Sequence, residues 1–218
     1  MDSIAVALRE FSNMTDYKYL FQIAYKKQIY ELTLSFDLKD FSHMAGLHYL
    51  KDIDIPKNIV KLRPKIEDGS INDEYLRKSK KYNASSDNVK DVESRIFNIR
   101  YIEQFLDSRN LVFNYLSSLN RTSLIDADYL IKSTYNNVTA YIFIRKRKEN
   151  SEYCICSFFV NPSVLYTGEK AYWWYKAKHH MPTNNLTVFI DKTEQTKAKD
   201  KNNEAEKQVA VTSESVEE

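Results

Sequence analysis

The sequence predicts an α+β domain in which helices pack on a mainly antiparallel β-sheet that starts with an N-terminal β-hairpin. Three observations carry this. Two neighbouring segments near the N-terminus alternate apolar and polar residues, the middle of the chain repeats apolar residues every three or four positions, and the remainder returns to period two with short connections. Short connections join antiparallel strands, whereas parallel strands need long crossovers.

In residues 17–25, YKYLFQIAY, the side chains of Tyr17, Tyr19, Phe21, Ile23 and Tyr25 share one strand face. Residues 28–36, QIYELTLSF, do the same with Tyr30, Leu32, Leu34 and Phe36, and the polar pair Lys26–Lys27 between them makes a hairpin. The period then changes. Asp37 offers an N-cap and Asp40 an acid in the first turn, where the helix dipole favours it, ahead of a stripe of Phe41, Met44, Leu47 and Leu50 reaching Lys51. A short helix is expected from Pro56 to Ile66, closed by Asp68-Gly69. Ser70-Ile-Asn-Asp73 resembles a capping box for a helix to Tyr82, and residues 83–88 read as polar loop. From Val89, the spacing of Val92, Ile96, Ile99, Ile102 and Leu106 predicts one amphipathic helix of about five turns.

The second half reads as strands over residues 111–116, 124–132, 138–147, 153–160, 172–176 and 186–190. In the third of these, Val138, Ala140, Ile142 and Ile144 face one way, and Tyr141, Phe143 and Arg145 the other. Residues 1–191 are expected to form one domain. Residues 192–218 contain no aromatic residue and no periodicity, a composition too polar to offset the entropy of ordering, so a disordered charged tail is expected.

Composition narrows the class. Of 218 residues, 43% are hydrophobic, with 16 Tyr and 11 Phe, enough for a substantial core. No apolar run is long enough to span a bilayer, and the opening MDSIAVALREF lacks the basic region of a secretory leader, so the expected setting is cytoplasmic, without a membrane partner. Cys154 and Cys156 would lie on one strand face about 7 Å apart, too far for a relaxed disulfide. They are read as small core residues in a reducing compartment. The net charge is +2, residues 57–81 hold 8 basic and 4 acidic residues, and residues 145–148 are four consecutive cations. Such clusters suit a polyanionic partner, although solvated surface charge looks the same in a sequence.

Phosphate-loop, dinucleotide, nucleophile-elbow and zincin motifs are absent, and the acidic residues form no two-metal pattern. The four histidines fall in two short segments: His43 and His48, then His179 and His180. Histidine moves protons near neutral pH, which is what cleavage of RNA without a metal requires. Five residues apart on a regular helix, His43 and His48 would point roughly 140° apart. One is then catalytic while the other packs, unless a bend at Gly46 intervenes, and a purely structural role for either stays open.

The segment FDLKDFSHMAGLHYLKD, residues 36–52, resembles the motif FxxxDFxHLxGLHKL of a phage family of nuclease domains related in fold to barnase, EndoU, colicin nucleases and RelE. Later blocks agree in order: DADYL at 126–130, YIFIRKR at 141–147 and SFF at 157–159, with the helix of residues 95–106 between. The resemblance spans residues 17–176. It implies helices packed on an antiparallel sheet, with an RNA-cleaving site on the open face of that sheet. His43 and His48 correspond to the motif histidines and Ser157 to the serine before the paired phenylalanines, whereas Met44 replaces a leucine and Tyr49 a lysine, removing one phosphate ligand.

The expectation is therefore a metal-independent ribonuclease, a phage or mobile-element effector with RNA as partner and a host or immunity protein as a further one, needing no cofactor. His43, His48 and Ser157 would be catalytic, with Ser157 on the strand face of Tyr153, Ile155 and Phe159. Arg145, Lys132, Trp173 and Lys176 would hold RNA, the last two because Tyr172-Trp-Trp-Tyr175 followed by lysines resembles a stacking surface. An edge strand whose aromatics cover the core gives the same pattern. The competing functional reading is a catalytically inactive module that binds RNA or a host protein and inhibits a host system.

Overall fold

The computed structural model describes residues 2–82, 91–120, 123–162 and 165–193. It opens with helix α1 (Ser3–Met14), which was not anticipated, although Ile4, Ala7, Leu8, Phe11 and Met14 form a buried stripe at helical spacing. The orphan N–H groups of its first turn are capped from far away. Ser3 and Ile4 donate to the Asp73 carboxylate, and the Asp73 N–H donates to Asp2.

Strands β1 (Tyr17–Tyr25) and β2 (Gln28–Ser35) pair antiparallel from Lys18↔Ser35 to Tyr25↔Gln28. The chain reverses at Lys26 and Lys27, both at positive φ as a two-residue type I′ turn requires. Beyond β2 a 3-10 turn (Leu38–Asp40), a single helical turn α2 (Phe41–Met44) and a second 3-10 turn (Leu47–Tyr49) stand in place of one continuous helix. The Asp37 side chain accepts from the Lys39 N–H. Helix α3 (Ile59–Glu67) is capped by Asn58, with Pro64 inside it rather than Pro56 at its start. In α4 (Asp73–Leu76) Asn72, not Ser70, supplies the cap. The long amphipathic helix is two helices, α5 (Val92–Ile99) and α6 (Ile102–Asp107), broken at Arg100–Tyr101 with every anticipated apolar position still buried.

The remaining strands are β3 (Leu111–Tyr115), β4 (Tyr129–Tyr135), β5 (Val138–Lys146), β6 (Tyr153–Val160), β7 (Gly168–His180) and β8 (Asn185–Asp191). They do not form an open sheet carrying helices, as the sequence suggested. Seven strands in the order β1-β2-β6-β5-β4-β3-β7 close into a mixed barrel, because β7 also pairs with β1, and β8 is added along β7. The element responsible is β7, far longer than the expected 172–176. Its start pairs with β3 through Ala171↔Val112 to Gly168↔Tyr115, and the rest pairs with β1 from Tyr172↔Ala24 to His180↔Tyr17. Bulges at Gln22/Ile23, Phe143/Ile144 and Lys176/Ala177 add the local twist that closure needs. At Gly168 a Cβ would lie 2.3 Å from the Asn114 carbonyl oxygen, so only glycine lets β7 pass β3 there.

The seam of the barrel is β2–β6, a single parallel bridge at Leu34↔Tyr153. Past that bridge β2 has ended, and α2 and α5 pack against β6 instead. All seven ring strands contribute to one main core shared with the helices, including Phe21, Leu34, Val112, Ile131, Ile142, Phe158 and Trp173. The opposite face of β3–β6 carries a second core of Tyr115, Leu130, Tyr141, Phe143, Phe159 and Tyr166. Among the described residues, no helix is long and apolar enough to cross a membrane. The expected polar loop at 83–88 and most of the expected tail, from residue 194 onward, lie outside the described residues.

Candidate functional site

The site is built where the seam opens. Asp40, closing the first 3-10 turn, is ion-paired with the nearly buried Arg147, which also donates to the Ser35 carbonyl, so this turn is tied to the end of β5. Helix α2 ends at Ala45, and Gly46 follows at φ +74, a left-handed residue that redirects the chain before the next turn. That redirection decides the histidine geometry. Instead of diverging, the His43 and His48 rings stack, with centroids 4.5 Å apart and planes 14° apart, and the Tyr49 ring lies 3.9 Å from His48.

Beneath them lies Arg95, 2% exposed, its guanidinium 4.3 Å from the Phe159 centroid, 5.3 Å from that of Tyr49 and hydrogen-bonded to the Tyr49 side chain. Phe159 in turn stacks on Tyr166 at 5.6 Å. A continuous chain of ring and cation contacts thus runs from the second core to the two imidazoles. The imidazoles open into a cleft of about 890 Å³ lined by Lys39, Ser42, Lys51, Asp54 and Lys57 among others.

Electrostatics follow from this placement. Both histidines are exposed as residues, but stacking removes water from their facing sides. Burial holds His43 below its ordinary value, opposed by a hydrogen bond to the Cys156 backbone and by Asp40, and reinforced by Arg95 and Arg145. His48 falls further, to about 4, through burial, then through the neighbouring His43, Arg95 and Lys51. Arg95 is lowered to about 10 by burial and stays charged at neutral pH.

The other anticipated site residues divide. Ser157, 8% exposed, follows the Cys156 backbone that His43 contacts. The bulge there reverses the alternation, so Ser157 pairs with Phe143 and shares the face of Phe159, while Ile155 and Tyr153 point to the main core. Its expected common face with those two is therefore wrong. Among the described residues no hydrogen bond joins Ser157 to either histidine. Arg145 is near enough to act on His43 and is ion-paired with the exposed Asp126. Lys132 lies over the Tyr141 ring, four residues from Arg145 along β5 and so about 13 Å away. Trp173 and Lys176 are not on a nucleic-acid surface at all. The Trp173 indole donates to the Asn110 carbonyl, the Lys176 ammonium donates to the Ser108 carbonyl, and both are buried in or against the main core. His179 and His180 sit beside the β7–β8 turn, bonded to Asn184 and Thr183.

Arg95 was missed, though the signal was present. It lies three residues after Val92 and four before Ile99, on the apolar stripe of its helix, where a charge needs a reason. Tyr49, read only as a lost lysine, is the ring that joins Arg95 to the imidazoles. Among the described residues no group of three or more His, Cys, Asp or Glu is placed to hold a metal ion.

Fold and site together define a mixed β-barrel domain with a paired-imidazole, lysine-rimmed cleft at its seam. The chain belongs to the family described as phage-Barnase-EndoU-ColicinE5/D-RelE like nuclease4, whose model matches residues 4–212. It is thus a nuclease-like phage domain. No curated protein and no solved structure matches it.

Proposed function

We propose that this domain is an endoribonuclease that cuts RNA without a metal ion, with His43 and His48 as its proton-transfer groups. The observation that supports it best is the stacked imidazole pair at the mouth of a cleft rimmed by Lys39, Lys51 and Lys57. In the proposed reaction one imidazole takes the proton of the 2′-hydroxyl as the 2′-oxygen bonds to phosphorus. The other gives its proton to the 5′-oxygen as the P–O5′ bond breaks, leaving a 2′,3′-cyclic phosphate and a 5′-hydroxyl. Two imidazolium rings stacked this closely repel, so as the pH falls the pair takes up one proton well before a second, and the singly protonated pair is the starting state that acid–base cleavage needs. The cleft lysines and Arg145 meet phosphate charge, and the Ser157 hydroxyl is a donor beside the phosphorane. In a host cell such an activity would act as a phage or mobile-element effector on cytoplasmic RNA.

The test is total RNA incubated with purified protein in EDTA, beside His43→Ala and His48→Ala. Each variant is expected to lose roughly 10²–10⁴-fold in rate, the usual yield of general acid–base catalysis. Undiminished cleavage in both variants, or cleavage only with a divalent ion, ends the assignment. Retention of RNA by the wild type without cleavage makes this a binding module instead.

A further inference from the structure

The contact chain under the histidines has a direction. At one end His43 meets the Cys156 backbone of β6, with Arg95 of α5, Arg145 of β5 and the Asp40 carboxylate of the preceding turn acting on it. In the middle His48 faces His43, Arg95 of α5 and Lys51, all groups that are cationic or can become so. At the other end Arg95 is held between Phe159 and Tyr49 and bonded to the Tyr49 side chain, whose ring packs on His48. Gly46 completes the clamp, since a Cβ there would stand 3.1 Å from the Arg95 Cδ and 3.4 Å from the Tyr49 ring. Cations therefore act on both rings, Arg95 and Arg145 on His43 and Arg95 and Lys51 on His48, but only His43 also has an acceptor and a carboxylate beside it.

We propose that Arg95 is a positioning residue: its buried guanidinium fixes the imidazole stack through Tyr49 so that a single shared proton rests on His43, beside its backbone acceptor and the Asp40 carboxylate, making His43 the acid and His48 the base. This rests on the acid–base reading above and assigns its two roles. Arg95 itself is too enclosed to touch RNA. It acts through the rings, by geometry and by the potential it sets in a poorly solvated pocket.

The experiment is an NMR titration of the two imidazoles, without RNA, in the wild type and in Arg95→Met, Arg95→Lys and Tyr49→Phe. In the wild type His48 is expected to titrate below His43. Arg95→Met should raise the midpoints of both rings, that of His48 by about one unit, the scale of a nearby charge. Arg95→Lys, which keeps the charge, should move it less, and Tyr49→Phe, which keeps the ring but removes the bond to Arg95, should move it in the same direction. The acid limb of the cleavage profile should shift with the midpoint. Unchanged midpoints in the variants, or a lysine variant as perturbed as the methionine one, overturn the proposal. If the methionine variant does not fold, the other two decide. A wild type that titrates as expected yet cuts no RNA sinks the nuclease reading alone.

Discussion

Two buried cations, Arg95 of α5 and Lys176 of β7, teach opposite lessons. Arg95 and Lys176 are 2% and 1% exposed, and each lies over two aromatic rings, Phe159 and Tyr49 for the first, Trp173 and Phe189 for the second. Their local surroundings look alike. What differs is what the charge answers. Lys176 donates to the Ser108 carbonyl just beyond α6, at a helix end where Ser133 and Asn110 also satisfy the last carbonyls and where the dipole favours a cation. Its charge is consumed by the fold. Arg95 passes its influence through Tyr49 to two rings that face solvent, so its charge is available to chemistry at the cleft.

The comparison breaks most visibly at Lys176. Lys176→Ala empties a core position and leaves the Ser108 carbonyl without its donor, an expected loss of about 3 kcal/mol in urea unfolding, while Lys176→Met keeps the volume and should lose roughly half of that. Burial lowers this lysine to about 8, against the pull of Asp107. Between there and its ordinary value the unfolded chain binds the extra proton, so stability should rise with pH across that window and flatten in Lys176→Met. If these variants stay stable and lose RNA affinity instead, Lys176 belongs to the site and the contrast is wrong.

Gly46→Ala probes the Arg95 side. A side chain at φ +74 costs about 1–2 kcal/mol, and here the added methyl also presses on the Arg95 Cδ. The stack should loosen and cleavage fall together with stability, measured on the same preparation. Stability lost with full cleavage would show that the stack tolerates the displacement.

The smallest effect is expected in acid. His48 sits at about 4 in the fold because of burial first and neighbouring cations second. From its ordinary 6.5 down to that value the unfolded chain takes up a proton that the folded one refuses, so stability should decline as the pH falls through this window. The slope should be shallower in His48→Gln by urea unfolding at several pH values. Solvent at the exposed ring edge keeps the effect modest.

Much of this architecture could be read before any coordinates. The alternation at Tyr17–Tyr25 and Val138–Lys146 placed the right side chains on the right faces, because a strand's period is a local property. The buried stripe Val92–Ile99 was legible for the same reason. The helix around His43 was misjudged because a stripe such as Phe41, Met44, Leu47 and Leu50 survives when the chain is cut into short turns and re-aimed by one glycine. Ser157 was assigned to the wrong set of neighbours because a single-residue bulge is invisible to alternation. The Trp173–Lys176 segment misled because aromatics beside lysines describe a stacking surface and a core lined by a helix end equally well.

By itself, then, the chain determined its periodic elements, the face each presents to a core, and the motif carrying His43 and His48, all of which depend on residues a few positions apart. Only the tertiary structure decided that β7 joins the first strand and closes the barrel, that Gly46 turns two diverging imidazoles into a stack, and that Arg95 lies under them while Lys176 does not. The barrel closure and the placing of Arg95 and Lys176 depend on pairings between residues tens to more than a hundred positions apart, and the left-handed turn at Gly46 leaves the apolar stripe around it unchanged, so neither propensity nor local spacing carries that information.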